Sequence, residues 1–251
     1  MVQGKQSYDA VVVGAGFGGI YMLHKLRELG LSVRLFEAAS DVGGVWYWNR
    51  YPGARCDVPS IFYNFTFSEE LYRDWTWSER YSDQEEILRY FQYVTDRLDL
   101  RRDMQFNTRI TGAIYDDESH RWTIHTDKND TVTAKYFVCA VGALTAANVP
   151  DIKGKERFRG GMFHTGMWPK EKIDFRGKRV AVIGTGSSGA QVITTIAKDV
   201  EHLYVFQRSP HYCMPARNRP LEEEEIRQIK ENFRQFLEDI YNSNFGYVFK
   251  T

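Results

Sequence analysis

The chain has 251 residues, of which 43% are hydrophobic and 15% aromatic, and this composition excludes an intrinsically disordered protein. Lysine and arginine together number 33, as do aspartate and glutamate, so the charge balance gives no indication of a nucleic-acid partner. The three cysteines lie far apart, which excludes a disulfide framework and a cysteine-based metal site: Cys56, Cys139 and Cys213.

The sequence also lacks the features of an exported or membrane-inserted chain. No apolar run approaches the roughly 18 residues that span a bilayer. The N-terminus enters a strand-like run without an h-region or a small-residue cleavage site. We therefore predict a cytoplasmic protein that has no membrane partner and no bound metal.

A glycine-rich turn follows the first apolar run. Ala10–Val13 is strand-like, a helical stretch comes after the turn, and a second strand, Val33–Phe36, ends at Glu37. The turn has the GxGxxG pattern, formed by Gly14, Gly16 and Gly19. Such glycines permit a tight turn, the approach of a pyrophosphate and close helix–strand packing. Glu37, 23 residues after Gly14, can bond both ribose hydroxyls, so this stretch predicts a dinucleotide site.

The middle of the chain carries weaker signals. A helix is predicted over 82–98, with Ser82 as its N-cap and Glu85 completing a capping box. Alternating polarity in 121–127 and the run 132–144 predict antiparallel strands. Within that run, Tyr136–Val141 is apolar enough for a central strand.

The glycine pattern then recurs. Val180–Ile183 is a second such strand, and Leu203–Phe206 ends at Gln207, again 23 residues after the first glycine of the repeat. The repeated glycines are Gly184, Gly186 and Gly189. Here the acid is missing and Arg208 follows, and a guanidinium can pair with a ribose 2′-phosphate that a carboxylate would repel. Arg208 as an ordinary solvated residue is the alternative.

The two patterns therefore predict different dinucleotides. The first site favours a free 2′-hydroxyl, as in FAD or NAD, and the second favours NADP, whose pyrophosphate the hydroxyls of Thr185, Ser187 and Ser188 can bond. Two dinucleotides on one chain indicate electron transfer between them, with NADPH reducing a flavin as the expected pairing.

The order of the patterns predicts an α/β protein with two Rossmann-like dinucleotide-binding domains and the start of a helical insertion, because the apolar residues of Leu221–Tyr241 recur at helical spacing. The predicted divisions are an FAD-binding segment (1–150), a linker (151–177), an NADP-binding segment (178–215) and the start of a helical subdomain (216–251). A doubly wound domain needs about five parallel strands, so we expect the sequence to be the N-terminal portion of a larger protein.

Several stretches resemble the type I Baeyer–Villiger monooxygenases, a family of FAD- and NADPH-dependent flavoproteins. The first is 43–57, where the matching positions are Gly43, Gly44, Trp46, Tyr51, Pro52, Gly53 and Asp57. The second matches the family fingerprint FxGxxxHxxxWP at Phe158, Gly160, His164, Trp168 and Pro169. Cys139–Leu144 resembles the turn that ends the first FAD segment in related monooxygenases.

The resemblance implies that NADPH reduces FAD, that a C4a-peroxyflavin forms with O2, and that one oxygen is inserted beside a ketone carbonyl to give an ester or lactone. Carried over residue by residue, the FAD positions are Gly14, Gly16, Phe17, Gly19, Glu37, Gly44, Val45, Trp46 and Asp57, with weaker assignments at Tyr63 and Ile110. The NADP positions are Thr185, Gly186, Ser187, Ser188, Gly189, Ala190, Gln191, Gln207 and Arg208. Both cofactors would meet at Arg55, Cys56 and Asp57.

Asp57 is the one catalytic residue that the resemblance implies. In the family the matching aspartate positions an arginine over the flavin, and a nearby cation favours the anionic form of a peroxide. That arginine has no counterpart within this sequence. The alternative is an aspartate that caps a turn.

The fingerprint is interpreted as a hinge. His164 is expected to have a structural or hinge role rather than to transfer a proton, and the glycines Gly160 and Gly161 permit backbone turns. Trp168 and the aromatic run 46–48 are expected to pack rather than to enclose substrate.

Other functions stay open at this stage. The related flavin-containing and N-hydroxylating monooxygenases share the glycine motifs, and a catalytically incomplete nucleotide-binding fragment is a non-enzymatic alternative. A disulfide reductase would need a close cysteine pair, which the sequence does not provide.

Overall fold

The computed structural model describes residues 6–144 and 146–243. Within these ranges no helix is long and apolar enough to cross a membrane. The chain divides into two compact units: unit 1 comprises Met1–Asn49 and Leu88–Trp168, and unit 2 comprises Arg50–Ile87 and Pro169–Thr251. The domain boundaries predicted at residues 150, 177 and 215 follow function rather than compactness and stay a prediction.

Unit 1 is built on a six-stranded mixed sheet. Its strands are β1 (Gln6–Val13), β2 (Val33–Phe36), β3 (Met104–Gln105), β4 (Ile110–Asp116), β5 (Arg121–Thr126) and β6 (Thr131–Cys139). They lie in the order β3-β2-β1-β6-β5-β4. Strands β3, β2, β1 and β6 run parallel, whereas β5 is antiparallel to β6 and to β4. The two strands predicted around the first glycine motif and the antiparallel pair are confirmed; β3 and β4 had no clear sequence signal.

Unit 2 contains a parallel strand pair, β7 (Arg179–Ile183) and β8 (His202–Phe206).

The α-helices of the two units, within the described residues, are α1 (Phe17–Glu28), α2 (Val45–Trp48), α3 (Glu69–Asp74), α4 (Gln84–Arg97), α5 (Ser187–Ile196), α6 (Glu223–Glu231) and α7 (Phe233–Tyr241). Helix α5 connects β7 to β8 as α1 connects β1 to β2, so each unit contains a β–α–β element. The predicted α/β class is confirmed.

The core of unit 1 lies where β1 meets α1. Val11 and Val12 on β1 are fully buried, as are Ile20 and Leu23 on α1. Consecutive residues of a strand point to opposite faces, so burial of both valines means that both faces of β1 are covered. This explains why the first strand is an unbroken apolar run, and it fixes the position of the glycine turn that follows β1.

Helix α4 begins two residues later than predicted, and the predicted N-cap at Ser82 is wrong. Ser82 is buried, and both its N–H and its hydroxyl pair with the Ser60 hydroxyl at 2.8 Å. Asp83 caps the helix instead, because its carboxylate accepts a hydrogen bond from the Glu86 N–H at 2.8 Å. A tertiary contact thus occupies the side chain that the local pattern had assigned to the cap.

The apolar stripe of Leu221–Tyr241 forms two helices rather than one. The break falls at Asn232, whose side chain donates to the Gln228 carbonyl at 2.8 Å. After the break, Phe233 is buried beside Tyr72, with ring centroids 4.6 Å apart. Phe236 stacks on Phe62 at 5.2 Å. The stripe therefore packs within unit 2, against α3 and the turn that precedes it.

Candidate dinucleotide-binding sites

The turn after β1 has the close packing that its glycines predict. The Gly14 N–H donates to the Phe36 carbonyl at 2.9 Å, which ties the turn to β2. A Cβ added to Gly19 would lie 1.7 Å from the Gly14 carbonyl oxygen, so only glycine allows α1 to approach the strand end this closely. Helix α1 consequently points its N-terminus at the carboxyl ends of β1 and β2.

A cleft of about 610 Å³ opens in unit 1 at those strand ends. Eight of the predicted FAD positions line it: Gly14, Gly16, Phe17, Glu37, Gly44, Val45, Trp46 and Ile110. The structure thereby brings together residues that are up to 96 positions apart in the sequence, from Gly14 to Ile110. The volume of the cleft is within the range of cofactor pockets, and clefts at the carboxyl ends of parallel strands are where such folds bind ligands.

Some cleft residues were not found from the sequence. These are Ala38, Trp48, Phe91, Thr108, Arg109, Ala147, Gly166 and Met167. Phe91 belongs to α4 and contacts Phe17 edge-on, with centroids 4.5 Å apart, so its place depends on tertiary packing. Thr108 and Arg109 immediately precede Ile110, and that weak assignment was the one available signal for this wall.

Glu37 is held at the edge of the cleft. It is 7% exposed, and its two carboxylate oxygens accept hydrogen bonds from the backbone N–H groups of Ala15 and Ala39, each at 2.7 Å. Each carboxylate oxygen can accept more than one hydrogen bond. The side chain is therefore fixed in place with acceptor capacity left for a ribose.

The second glycine pair forms the facing wall. A Cβ on Gly44 would lie 2.9 Å from the Gly16 Cα, so the two backbones nearly touch, and Gly44 has a φ of +55°. The Gly43 N–H donates to the Ala15 carbonyl at 2.9 Å. The cleft floor is thus bare backbone, which is the surface that a pyrophosphate or an isoalloxazine edge requires for close approach.

A hydrogen-bonded network supports this glycine pair from behind. The Asp41 carboxylate accepts from Arg101 at 2.7 Å, from Gln92 at 2.8 Å and from the Val42 N–H at 2.8 Å. Burial alone would raise the pKa of Asp41, but these three hydrogen bonds hold that pKa below its ordinary value. The carboxylate is therefore ionised and anchors the loop that carries Gly43 and Gly44.

The end of the fingerprint stretch also reaches the cleft of unit 1. His164 Nδ1 accepts a hydrogen bond from the Gly166 N–H at 3.1 Å and so caps the short turn Thr165–Met167. Gly166 and Met167 line the cleft, and Trp168 packs against Phe163 with centroids 5.6 Å apart. In this arrangement His164 shapes the backbone; the predicted hinge function stays a prediction.

The fingerprint begins in a more open position. Phe158 is 61% exposed, and Gly160 lies in an exposed stretch with it. Pro169, the last fingerprint residue, is the first residue of the second segment of unit 2. The fingerprint therefore ends where the chain passes from unit 1 to unit 2.

The second glycine turn repeats the first within unit 2. The Gly184 N–H donates to the Phe206 carbonyl at 2.8 Å, as Gly14 does to Phe36. A Cβ on Gly189 would lie 2.3 Å from the Gly184 carbonyl oxygen, as one on Gly19 would crowd Gly14. The motif thus builds the same strand–turn–helix geometry twice.

The residues at the two strand ends differ as the sequence predicts. Gln207 donates from Nε2 to the Thr185 hydroxyl at 2.8 Å, and both Gln207 and Arg208 are exposed. The other predicted NADP positions form the turn and first turns of α5: Gly186, Ser187, Ser188, Gly189, Ala190 and Gln191. Arg208 follows Gln207, which contacts the turn before α5, and an exposed guanidinium and a helix N-terminus each attract a phosphorylated ligand.

The residues expected to touch both cofactors belong to unit 2. Asp57 is exposed, whereas Arg55 pairs with Glu79 at 2.8 Å. Cys56 is buried, and burial raises the pKa of its thiol to about 11, so this cysteine stays protonated. Tyr63 ends a short turn and its N–H donates to the Ser60 carbonyl at 2.9 Å. The three cysteines are free thiols.

Comparisons with known proteins agree on one group. The family model for flavin-binding monooxygenase-like proteins matches residues 8–244. A phenazine N-monooxygenase of Lysobacter antibioticus is 48% identical over 247 residues, which are 98% of this chain and 46% of that protein. A Baeyer–Villiger monooxygenase of Pseudooceanicola batsensis is 49% identical over 244 residues, 97% of this chain and 45% of that protein.

A comparison with solved structures also finds a monooxygenase. The structure of an oxidised steroid monooxygenase bound to NADP superposes with a TM-score of 0.93 at 53% identity, and the match covers 96% of this chain and 46% of the other. The chain thus spans about half the length of the relatives it matches.

Proposed function

Because the chain belongs to the flavin-binding monooxygenase-like family, we propose that it carries the FAD and NADP sites of a Baeyer–Villiger monooxygenase. The reaction is the insertion of one atom of O2 beside the carbonyl of a small ketone, with NADPH as the electron source. The observation that carries the proposal is the pair of β–α–β elements with equivalent glycine turns. Glu37 follows the second strand of the first element, and Gln207 and Arg208 follow the second strand of the other.

FAD, when bound, supplies the redox chemistry: it takes electrons from NADPH and passes them to O2. The residues of unit 1 fit this cofactor. Gly16 and Gly44 present bare backbone, and a Cβ on Gly44 would crowd Gly16. The positive end of α1 would face the pyrophosphate, and Glu37 would accept hydrogen bonds from the ribose hydroxyls. The pocket volume also accommodates a ligand of this class.

The residues of unit 2 would hold NADP(H). The first turn of α5 would receive the pyrophosphate, with Thr185, Ser187 and Ser188 as hydroxyl donors, and Arg208 would pair with the 2′-phosphate. As the family resemblance implies, Asp57 would position a cation from outside this sequence near the bound flavin, and that cation would favour a deprotonated oxygen nucleophile. The cytoplasmic location and the domain boundaries predicted from sequence are part of this proposal.

The test is product identification with the purified protein. We expect bound flavin, ketone-dependent consumption of NADPH and O2, and an ester or lactone detected by gas chromatography with mass spectrometry. Oxidation of a sulfide or an amine without any ester from a panel of cyclic and linear ketones would contradict the Baeyer–Villiger assignment. A colourless protein that turns over no substrate would favour a nucleotide-binding fragment.

N-oxygenation is the second candidate, and one observation favours it. The phenazine N-monooxygenase is 48% identical to this chain, about as similar as the Baeyer–Villiger relative. Both reactions would use the same FAD and NADP residues. A competition assay that offers equal concentrations of cyclohexanone and phenazine distinguishes them, because the lactone and the N-oxide are separable products.

A further inference from the structure

The stretch Tyr51–Arg55 lies against helix α5 within unit 2. The Tyr51 hydroxyl donates to Gln191 Oε1 at 2.8 Å, and Gln191 Nε2 donates to the Arg55 carbonyl at 3.0 Å. Because a carbonyl can only accept, the second bond fixes which end of the Gln191 amide faces Tyr51. The side chain of Gln191 is therefore held from both sides by one short segment.

Tyr51 also contacts the first turn of α5. Its ring is 9% exposed, and Ser188 is among the groups that influence the phenol. The hydrogen bond from the phenol to Gln191 fixes the rotamer of an α5 side chain that lies at a predicted NADP position.

Gly53 shows how closely this segment approaches helix α5. Gly53 has a φ of +80°, and a Cβ there would lie 2.7 Å from the Gln191 carbonyl oxygen and 2.1 Å from the Thr195 hydroxyl. Thr195 itself donates to the Gln191 carbonyl at 2.8 Å. No side chain fits between the segment and the helix at this point, so Gly53 is what allows Tyr51 to reach Gln191.

We propose that Tyr51 is a positioning residue of the second dinucleotide site, which holds Gln191 in the conformation that NADP(H) requires. This inference rests on the proposed function. Side chains that are ordered before binding do not have to be immobilised by the ligand, and pre-ordering therefore raises affinity. Tyr51-Pro52-Gly53, which the sequence places with the flavin signature, thus serves the nicotinamide cofactor.

The first test is a titration of the purified protein with NADP⁺ by calorimetry. Tyr51→Phe removes the hydroxyl alone, and we expect it to raise the Kd for NADP⁺ by roughly three- to ten-fold, the effect of freeing one side chain. Tyr212→Phe is the matched control, because Tyr212 is fully exposed. An unchanged Kd in Tyr51→Phe would overturn the inference.

A fragment ligand separates positioning from general damage. Adenosine 2′-monophosphate carries the 2′-phosphate that Arg208 would bind but has no pyrophosphate or nicotinamide, so Tyr51→Phe should leave its Kd unchanged. Equal weakening of both ligands would mean a structural role and would overturn the inference. If the wild-type protein binds neither ligand, the proposed NADP site itself is wrong, which is a different result from a Tyr51→Phe variant that behaves as wild type.

Two further variants test the route of the effect. In a Gln191→Met background, Tyr51→Phe should weaken NADP⁺ binding less than it does in the wild type, because the partner through which it acts is gone. Full additivity of the two substitutions would contradict the route through Gln191. Gly53→Ala should also weaken binding, whereas Gly177→Ala should not, since Gly177 has a similar φ of +65° but open space around its Cβ position.

Discussion

Glu37 and Gln207 follow equivalent strands, yet their side chains make different hydrogen bonds. The Glu37 carboxylate is buried and accepts hydrogen bonds from two backbone N–H groups, whereas the exposed Gln207 amide donates to the Thr185 hydroxyl. A buried acceptor that loses its charge affects the fold as well as the ligand, and an exposed amide affects mainly the ligand. The two positions should therefore respond differently to substitution.

For Glu37→Gln we expect loss of both stability and flavin affinity. The amide would turn an N–H₂ group toward a backbone donor, and such a buried mismatch costs about 1–3 kcal/mol of unfolding free energy. Urea denaturation of the flavin-free protein measures the first effect and flavin titration the second. Glu118→Gln, at an exposed turn, is the control. Wild-type stability in Glu37→Gln would show that the two backbone bonds contribute little.

For Arg208→Ala we expect a change in coenzyme preference without a change in stability. A charge-assisted bond to the 2′-phosphate corresponds to roughly a ten- to hundred-fold preference for NADPH over NADH. Without Arg208, the efficiency with NADPH should fall by that factor and the efficiency with NADH should not change. The ratio of kcat/KM values for the two coenzymes is the readout. Arg179→Ala is the control, because Arg179 is also exposed but begins β7 rather than following the end of β8. An unchanged ratio would refute the phosphate assignment.

Single residues were predictable from sequence where the chemistry is local. Gly14, Gly19 and Glu37 belong to one strand–turn–helix–strand unit, so their spacing alone indicated their geometry. The role of Asp41 was not predictable, because its partner Arg101 is 60 residues away and no local pattern connects them. Ser82 was assigned to a cap that Asp83 forms, since the buried contact with Ser60 has no local signal either.

At the scale of elements, the loop between β2 and α2 depends on the Asp41 network. Ionised Asp41 is favoured in the folded state, because its pKa there is lower than in the unfolded chain. Its contribution to stability is thus fully present above the unfolded pKa of about 3.9 and is lost as the pH falls through the lowered folded value. The loop should loosen in acid before the sheet does.

Asp41→Asn tests this element. At neutral pH we expect the free energy of unfolding to drop by about 1 kcal/mol, a modest value because the network is partly exposed. Below about pH 4 the difference from wild type should begin to shrink, because the unfolded wild-type carboxylate takes up a proton there, and it should vanish once the pH falls below the lowered folded pKa. Chemical denaturation across the pH range gives both numbers. Asp117→Asn, in an exposed turn, should match wild type throughout; a constant difference at every pH would contradict the ionic interpretation.

Elements were predicted well where amphipathic or buried runs were long. The four strands that flank the glycine turns were predicted correctly, because apolar runs next to glycine turns are distinctive. The two-residue strand β3 was not, since its place depends on pairing with β2. The tail helix was predicted as one element and forms two, because helical spacing continues through Asn232 although the backbone does not.

At the scale of the whole molecule, each compact unit contains one β–α–β element with one candidate site. The proposed function requires electrons to pass between the ligands of the two sites. Under anaerobic conditions NADPH should therefore bleach the visible absorbance of bound flavin, and NADH should do so more slowly. Stopped-flow spectroscopy measures both rates, and dithionite provides the control for a reducible flavin. Bound flavin that NADPH cannot bleach would contradict the proposed pairing.

The division of the chain was harder to predict than its motifs. Residues 50–87 belong to unit 2 although they are surrounded in sequence by unit 1. The sequence order suggested one continuous first domain, because nothing local marks Arg50 or Leu88 as a boundary. Contacts such as Tyr51 with Gln191 are 140 residues apart and are what assign this segment.

The difference between Glu37 and Gln207 also bears on how such proteins diverge. Glu37 is tied into the backbone of its turn, so replacing it disturbs the fold before it can alter the ligand. Gln207 and Arg208 are exposed at a strand end, so a lineage can substitute them with little effect on the core. Substitutions at Gln207 and Arg208 can therefore change the preference for a nicotinamide coenzyme with little cost to the core, whereas a substitution at Glu37 that changes the first ligand also disturbs its turn.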